Sequence, residues 1–281
     1  MDCHPQIASI GESLNRKVRR KGAETYVCSC GELLLHCPFW QQVIQAVNDQ
    51  GLEFGVSNWT ASHKYKNAAL HRILTTYHSY PAADLGRSVA TSLLPLHRAR
   101  IRNIDRVCVA FIGAILDLTG AKVFFDSSKN VMHLYYLLRI PRLDIKVLRI
   151  TRDVRAFVDS YKRRGRSVAE GASAWKRYQL NSDHVMRRLP SEKVCLMRYE
   201  DLFADPANSL KSIYKFLEVE VMEPATTITP RDHHVIGNRI RLKESLIVRL
   251  DEGWKTRLTE QDIGTAYRIA GDINTRFGYL R

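Results

Sequence analysis

The sequence predicts an α/β protein, a three-layer parallel sheet flanked by helices, on three observations. Short apolar runs at Lys122–Phe125, Lys146–Ile150 and Lys193–Met197 have the length of buried strands and stop abruptly at polar residues. A helical pattern follows each run. Strand then helix, repeated, requires parallel strands joined by crossovers, with helices covering the sheet.

From the amino end, Pro38–Gln50 carries the three-and-four apolar spacing of a helix, and Gly51–Lys64 is mixed, with room for a short strand. Asn67–Thr76 and Val89–Leu118 also read as helical, the second with a break near Leu94-Pro95. A helix at Met132–Leu138 follows the first strand, and helices at Val154–Arg163 and Val168–Arg188 follow the second. The third strand leads to Ser209–Leu217, with Asp205-Pro206 as a start signal, and Thr259–Ile269 closes the series. No linker or repeat interrupts the chain, so residues 1–281 read as a single domain with a helical, cysteine-containing insertion at about 22–104.

Ligands of such sheets bind beyond the carboxyl ends of the strands. Arg152 stands where the second apolar run stops, and Ser160 follows about two turns down the next helix. A guanidinium grips phosphate with two parallel hydrogen bonds, a helix amino end adds its dipole, and a hydroxyl fills a remaining oxygen, so this pair suits a terminal phosphate monoester. Alone, Arg152-Asp153-Val154-Arg155 would be an ordinary charged helix cap. The second strand end at Arg198-Tyr199-Glu200-Asp201-Leu202 supplies the context that favours a site.

Taken in order, the strand end Asp126-Ser127-Ser128-Lys129, the strand end Arg152-Asp153-Val154-Arg155-Ala156 with Ser160, and the Arg198-Tyr199-Glu200-Asp201-Leu202 end resemble the sulfotransferase family. The Gly237-Asn238-Arg239-Ile240-Arg241 loop and Trp254 resemble its late elements. The resemblance implies a P-loop-like sheet and a sulfuryl donor, 3′-phosphoadenosine 5′-phosphosulfate (PAPS). It places Arg152 and Ser160 on the donor's 3′-phosphate, with Tyr199 beside the nucleotide and Arg241, or alternatively Arg239, closing over it. Lys129 corresponds to a lysine that stabilises the departing bisphosphate, and Glu12, in the His4-Pro5 to Gly11-Glu12 segment, to the base that takes the acceptor's proton. An exposed glutamate beside a helix dipole is the other reading of Glu12; His133 and His233 are lesser base candidates.

Family members usually open with a strand, a phosphate loop of the R-S-G-T-T type and a helix ahead of that segment. No such loop occurs in this sequence, so the expected sheet lacks its first βα unit, on the order of 20–25 residues. Either the true start lies upstream, or the chain is a degenerate homologue that binds nucleotide or polyanion without catalysis. A P-loop kinase would need G-x-x-x-x-G-K-[ST], which is also missing from the sequence.

Lys plus Arg number 43 against 29 Asp plus Glu, a net charge of +14 that attracts anionic ligands without specifying a nucleic acid. The basic runs at 16–21 and 162–166 read as solvated faces. No apolar stretch is long enough to span a bilayer and the amino end carries no secretory pattern, so the expected location is cytoplasmic. The acceptor would offer a hydroxyl or amine, with a carbohydrate or small metabolite favoured. Cys28-Ser29-Cys30-Gly31 with Cys37-Pro38-Phe39-Trp40 resembles a cysteine motif of a bacterial-type sulfotransferase subgroup. These thiols, with His36, could form a zinc site or a crosslink, or pack as reduced thiols. Paired C-x-x-C knuckles are lacking, and sulfuryl transfer requires no metal, so none is assigned.

Overall fold

The computed structural model describes residues 4–12, 26–56, 81–223, 227–228, 246–247 and 250–280. The chain divides into two compact units, Met1–Asp144 with Leu217–Ile247, and Ile145–Phe216 with Val248–Arg281.

In the first unit, β1 (Ile7–Ser9) pairs in parallel with β2 (Val123–Phe125), Ile7 opposite Val123 and Ser9 opposite Phe125. Between them come α1 (Pro38–Asn48), α2 (Pro81–Leu93) and α3 (Pro95–Thr119). Proline starts each of these helices, where its missing N–H costs nothing. The expected break at Leu94-Pro95 separates α2 from α3, and Gly120, at φ 67°, ends α3 in the left-handed conformation that glycine accepts without strain. Trp40, Val43 and Val47 form the buried stripe of α1, packed on α3. Phe111 joins this core at ring-centroid distances of 6.2 Å to Trp40, 5.3 Å to Phe54 and 6.1 Å to Phe124. After β2, Asn130 caps α4 (Val131–Leu137) by accepting from the backbone N–H of Met132 and His133.

The second unit is built on β3 (Val147–Thr151), α5 (Val154–Lys162), α6 (Val168–Met186) and β4 (Val194–Arg198), the strands again parallel, Val147 opposite Val194 and Thr151 opposite Arg198. A short helix α7 (Tyr199–Ala204) follows β4 directly, then α8 (Pro206–Leu217). In the first unit, β5 (Thr227–Ile228) and β6 (Leu246–Ile247) pair antiparallel. The second unit closes with α9 (Trp254–Arg257) and α10 (Glu260–Arg276). Reciprocal capping boxes, Ser167 with Glu170 and Thr259 with Asp262, start α6 and α10. Their core comprises Val154, Val158, Ala172, Trp175, Ala266 and Ile273. Arg149 Nη1 donates to Asp183 Oδ1 at 2.5 Å and Nη2 to Gln179 Oε1 at 2.8 Å, tying β3 to α6.

The three expected strands exist and pair in parallel within their units, but they are not fully buried. Ile150 is 45% and Leu196 53% exposed, and among the described residues β3 and β4 pair only with each other. The pattern in the sequence also missed β1, whose three residues are too short to show a period, and the first turns of α2, which begins at Pro81 rather than Val89. Residues 52–55 form no strand, and the Asn67–Thr76 helix lies outside the described residues.

Replacing Trp175, 2% exposed and hydrogen-bonded through Nε1 to the Arg152 carbonyl at 3.0 Å, by Ala is expected to cost about 3–5 kcal/mol. Asn274→Ala, which orphans the buried Val154 N–H, is expected to cost about 1–3 kcal/mol. Urea denaturation measures both; equal, negligible losses would show that the packing of α5, α6 and α10 does not hold this unit.

Candidate functional site

In the first unit the candidate residues gather where β1 and β2 end. Parallel strands release their chains at the same edge, so the segments after Ser9 and Phe125 run side by side. Gly11, at φ 88°, turns one of them. Asp126 Oδ1 turns the other by accepting the Ser128 N–H at 2.8 Å, and the Ser127 N–H donates to the Gly11 carbonyl at 2.9 Å. The laced turns bring Lys129 Nζ to 2.9 Å from Glu12 Oε1, although 117 residues separate them. The pair faces solvent, with side-chain exposures of 76% for Lys129 and 34% for Glu12, so both groups are open to a substrate. Beside it, His133 Nε2 lies 3.2 Å from Asp126 Oδ2, a buried imidazole held on a carboxylate.

In the second unit the register of β3 and β4 places Arg152 beside Tyr199, and the guanidinium carbon sits 4.7 Å from the Tyr199 ring centroid. Arg152 Nη2 donates to the Asp251 carbonyl at 2.9 Å and lies 3.4 Å from Asp251 Oδ2. Buried Arg152 Nε and Thr151 Oγ1 have no hydrogen-bond partner among the described residues. Ser160 Oγ donates within its own helix to the Phe157 carbonyl at 2.9 Å. Its neighbours reach toward Asp251. Arg163, one turn on, lies 3.9 Å from Asp251 Oδ2 and 3.3 Å from Asp159 Oδ2. Arg257 forks onto buried Asp159 at 3.0 and 2.7 Å and comes within 3.7 Å of Asp251. Three guanidinium groups thus share two carboxylates, one positive charge in excess.

Arg152 and the helix of Ser160 therefore converge on Asp251, while the helix amino end does not join them as the sequence led us to expect. Its leading N–H groups are already used, that of Asp153 on Glu200 Oε1 at 3.2 Å, of Val154 on Asn274 Oδ1 at 3.0 Å and of Arg155 on Asp153 Oδ1 at 2.8 Å. Arg155 forks onto Asp153 and covers the rings of Trp254 and Tyr267. Tyr279 donates to Glu200 Oε2 at 2.6 Å; burial and that carboxylate push its phenol well above the usual range. Arg239, Arg241 and His233 lie outside the described residues. Sequence reasoning missed Asp251, Asp159, Arg163 and Arg257. Only the Asp159–Arg163 spacing, four apart around Ser160, was there to be read.

Cationic groups thus stand at the carboxyl ends of parallel strands, beside flanking helices, the edge at which α/β folds bind their ligands. A sulfotransferase family profile matches residues 1–224, and the chain belongs to the sulfotransferase family. No curated protein matches it. Among solved structures it is similar to the sulfotransferase domain from the curacin biosynthetic pathway, at 14% identity and a TM-score of 0.37, over 65% of this chain and 64% of that domain's length. It is also similar to the sulfotransferase domain from the Synechococcus PCC 7002 olefin synthase, at 18% identity and a TM-score of 0.42, over 99% of this chain and 96% of that one.

Burial would raise the Asp251 carboxyl, but the Gly253 N–H and the guanidinium of Arg152 outweigh it and hold the group below the usual carboxylate range. A depressed carboxyl stabilises the fold above its unfolded value, about 3.9, and that contribution is lost as pH falls through the folded value. Asp251 is 45% exposed, so solvent screening limits the contribution to about 1 kcal/mol or less. Asp251→Asn is accordingly expected to lower stability at pH 7 and to flatten its decline below pH about 4. Urea midpoints at several pH values measure this, and an unchanged decline would remove Asp251 as an acid-sensitive group.

Proposed function

We propose that this chain is a PAPS-dependent sulfotransferase, moving a sulfuryl group to a hydroxyl or amine of an acceptor of carbohydrate or small-metabolite type. The observation that carries the reading is Arg152, placed at the end of β3 and over the Tyr199 ring, whose guanidinium among the described residues is met by the carbonyl and carboxylate of Asp251. A phosphate offers that guanidinium the same kind of oxygen with more charge and a bidentate geometry. In this reading the 3′-phosphate of the donor displaces the Asp251 carboxylate from Arg152. The Ser160 hydroxyl turns from the Phe157 carbonyl to a phosphate oxygen, and Tyr199 keeps the guanidinium in plane. Arg241, or Arg239 in its stead, adds a further cation.

The reaction is an in-line transfer. The acceptor oxygen or nitrogen bonds to sulfur as the bond from sulfur to the bridging phosphate oxygen breaks, so charge collects on departing adenosine 3′,5′-bisphosphate. Lys129 neutralises that charge. Its departure from Glu12 releases the carboxylate to take the acceptor's proton, which links the two roles through the observed ion pair. PAPS is a consumed cosubstrate here, and these steps call on side chains alone.

Calorimetric titration of adenosine 3′,5′-bisphosphate tests the grip. Arg152→Ala is expected to weaken binding at least about tenfold, and Asp251→Asn to tighten it by removing the competing carboxylate. Undiminished binding by Arg152→Ala, or no binding by the unmutated chain, would sink the donor assignment. For the chemistry, Lys129→Ala and Glu12→Gln are each expected to slow release of the bisphosphate from PAPS by on the order of a hundredfold while leaving its affinity intact. Unchanged turnover of either variant on hydroxylated acceptors removes that residue's role.

A further inference from the structure

We propose that Cys28, Cys30 and Cys37 bind one zinc ion as thiolates, tying the turn at residues 28–31 to the start of α1. Two turns assemble the trio. The Val27–Leu33 bridge folds a tight hairpin in which the Cys28 N–H donates to the Glu32 carbonyl at 2.8 Å and the Gly31 N–H to the Cys28 carbonyl at 3.0 Å. Gly31, at φ 93°, supplies the left-handed residue the hairpin needs. Cys37 enters from the other side, directly before α1, its N–H on the Leu33 carbonyl at 2.9 Å.

The sulfurs of all three lie within 4.8 Å of one another, with Cys37 Sγ 3.7 Å from Cys30 Sγ and 3.8 Å from Cys28 Sγ. Zinc bound to thiolates at about 2.3 Å in a tetrahedron sets its sulfurs about 3.8 Å apart, so an ion fits between these atoms with little movement of the chain. A disulfide fits less well. It requires about 2.05 Å, the Cys37 sulfur is nearly equidistant from both neighbours, and either pairing strands a third thiol.

Surroundings and charge fit an ion as well. Cys28 and Cys37 are fully buried in the core with Tyr26, Leu34 and Trp40, while Cys30 is partly exposed and gives an entry path. Burial disfavours the ionised form of both thiols, a cost that bonding to a cation offsets. Binding zinc replaces each S–H by an S–Zn bond and releases the protons to solvent. The backbone N–H groups of Cys30 and Trp40 act on the Cys28 and Cys37 sulfurs against the effect of burial, and the α1 amino end faces Cys37; both favour thiolate. Three protein ligands leave one tetrahedral position for a further donor. His36 is exposed and outside the cluster, although its place in the sequence made it a candidate.

The test is the zinc content of chain purified under reducing conditions without chelator. About one ion per chain is expected, falling below about a tenth in Cys37→Ser and unchanged in Cys195→Ser, whose thiol belongs to β4 of the second unit. Because Cys37→Ser can fail to fold, the unmutated chain carries its own check. A strong chelator is expected to lower its melting temperature by several degrees and to expose three additional thiols to alkylation, both reversed by added zinc. Cobalt in place of zinc should give the sulfur-to-metal absorption of a thiolate site. A chain that holds neither zinc nor cobalt at unit stoichiometry overturns the proposal, as does peptide mapping that finds two of the three cysteines joined in a disulfide.

Discussion

The parallel pairing of β3 with β4 sets Thr151 opposite Arg198 and so delivers Arg152 and Tyr199 together where the strands end. Everything in the second unit's site depends on that register. A slip of one residue would turn Arg152 to the other face of the pair and away from Tyr199. Contacts from three other elements hold the strand end in place. Trp175 on α6 donates to the Arg152 carbonyl, Asn274 on α10 accepts the Val154 N–H, and Tyr279 bonds to Glu200 at the head of α7. The same constraint acts in the first unit, where the register of β1 with β2 is what allows Lys129 to meet Glu12.

Charge is placed with more care than the net value of +14 conveys. Asp159, almost fully buried, would be costly alone, and the fork from Arg257 offsets its desolvation. Asp251 cannot be explained in that way, since it is nearly half exposed and meets three cations at separations of 3.4 to 3.9 Å. Pairs this open contribute little to stability. They do keep three guanidinium groups from facing one another without an anion between them, and a ligand can displace them at small cost for the same reason.

Much of this was legible in the sequence because strand ends announce themselves. An apolar run that stops just before Asp126, Arg152 or Arg198 identifies both the element and the edge from which the following residues emerge. Helix starts at Pro38, Pro95 and Pro206, and the Ser167 and Thr259 capping boxes, are local signals of the same kind. What could not be read depends on distant partners. Nothing near Asp251 in the sequence tells that it will meet an arginine 99 residues earlier, and Arg163 within a basic run looks like any solvated cation. The cysteines stayed ambiguous for a related reason. Their spacing lacks paired knuckles, and only the fold reveals that the hairpin at Gly31 and the start of α1 bring three sulfurs to one point.

The candidate groups of the two units differ in how much they must change to act. Lys129 and Glu12 are long side chains paired directly where solvent reaches them, so exchanging one partner for another requires only rotations about their own side chains. Arg152 rests over Tyr199 and on the Asp251 carbonyl, so a ligand that takes its guanidinium there displaces the Asp251 carboxylate. A fixed cation with a replaceable anion suits binding, because the ordering of the guanidinium is complete before the ligand arrives and its entropy is not lost again. A mobile ion pair suits proton and charge transfer, where each group must change partners during turnover. Arg152 and Lys129 thus differ in their surroundings, an aromatic ring and a backbone carbonyl for the first and mostly solvent for the second.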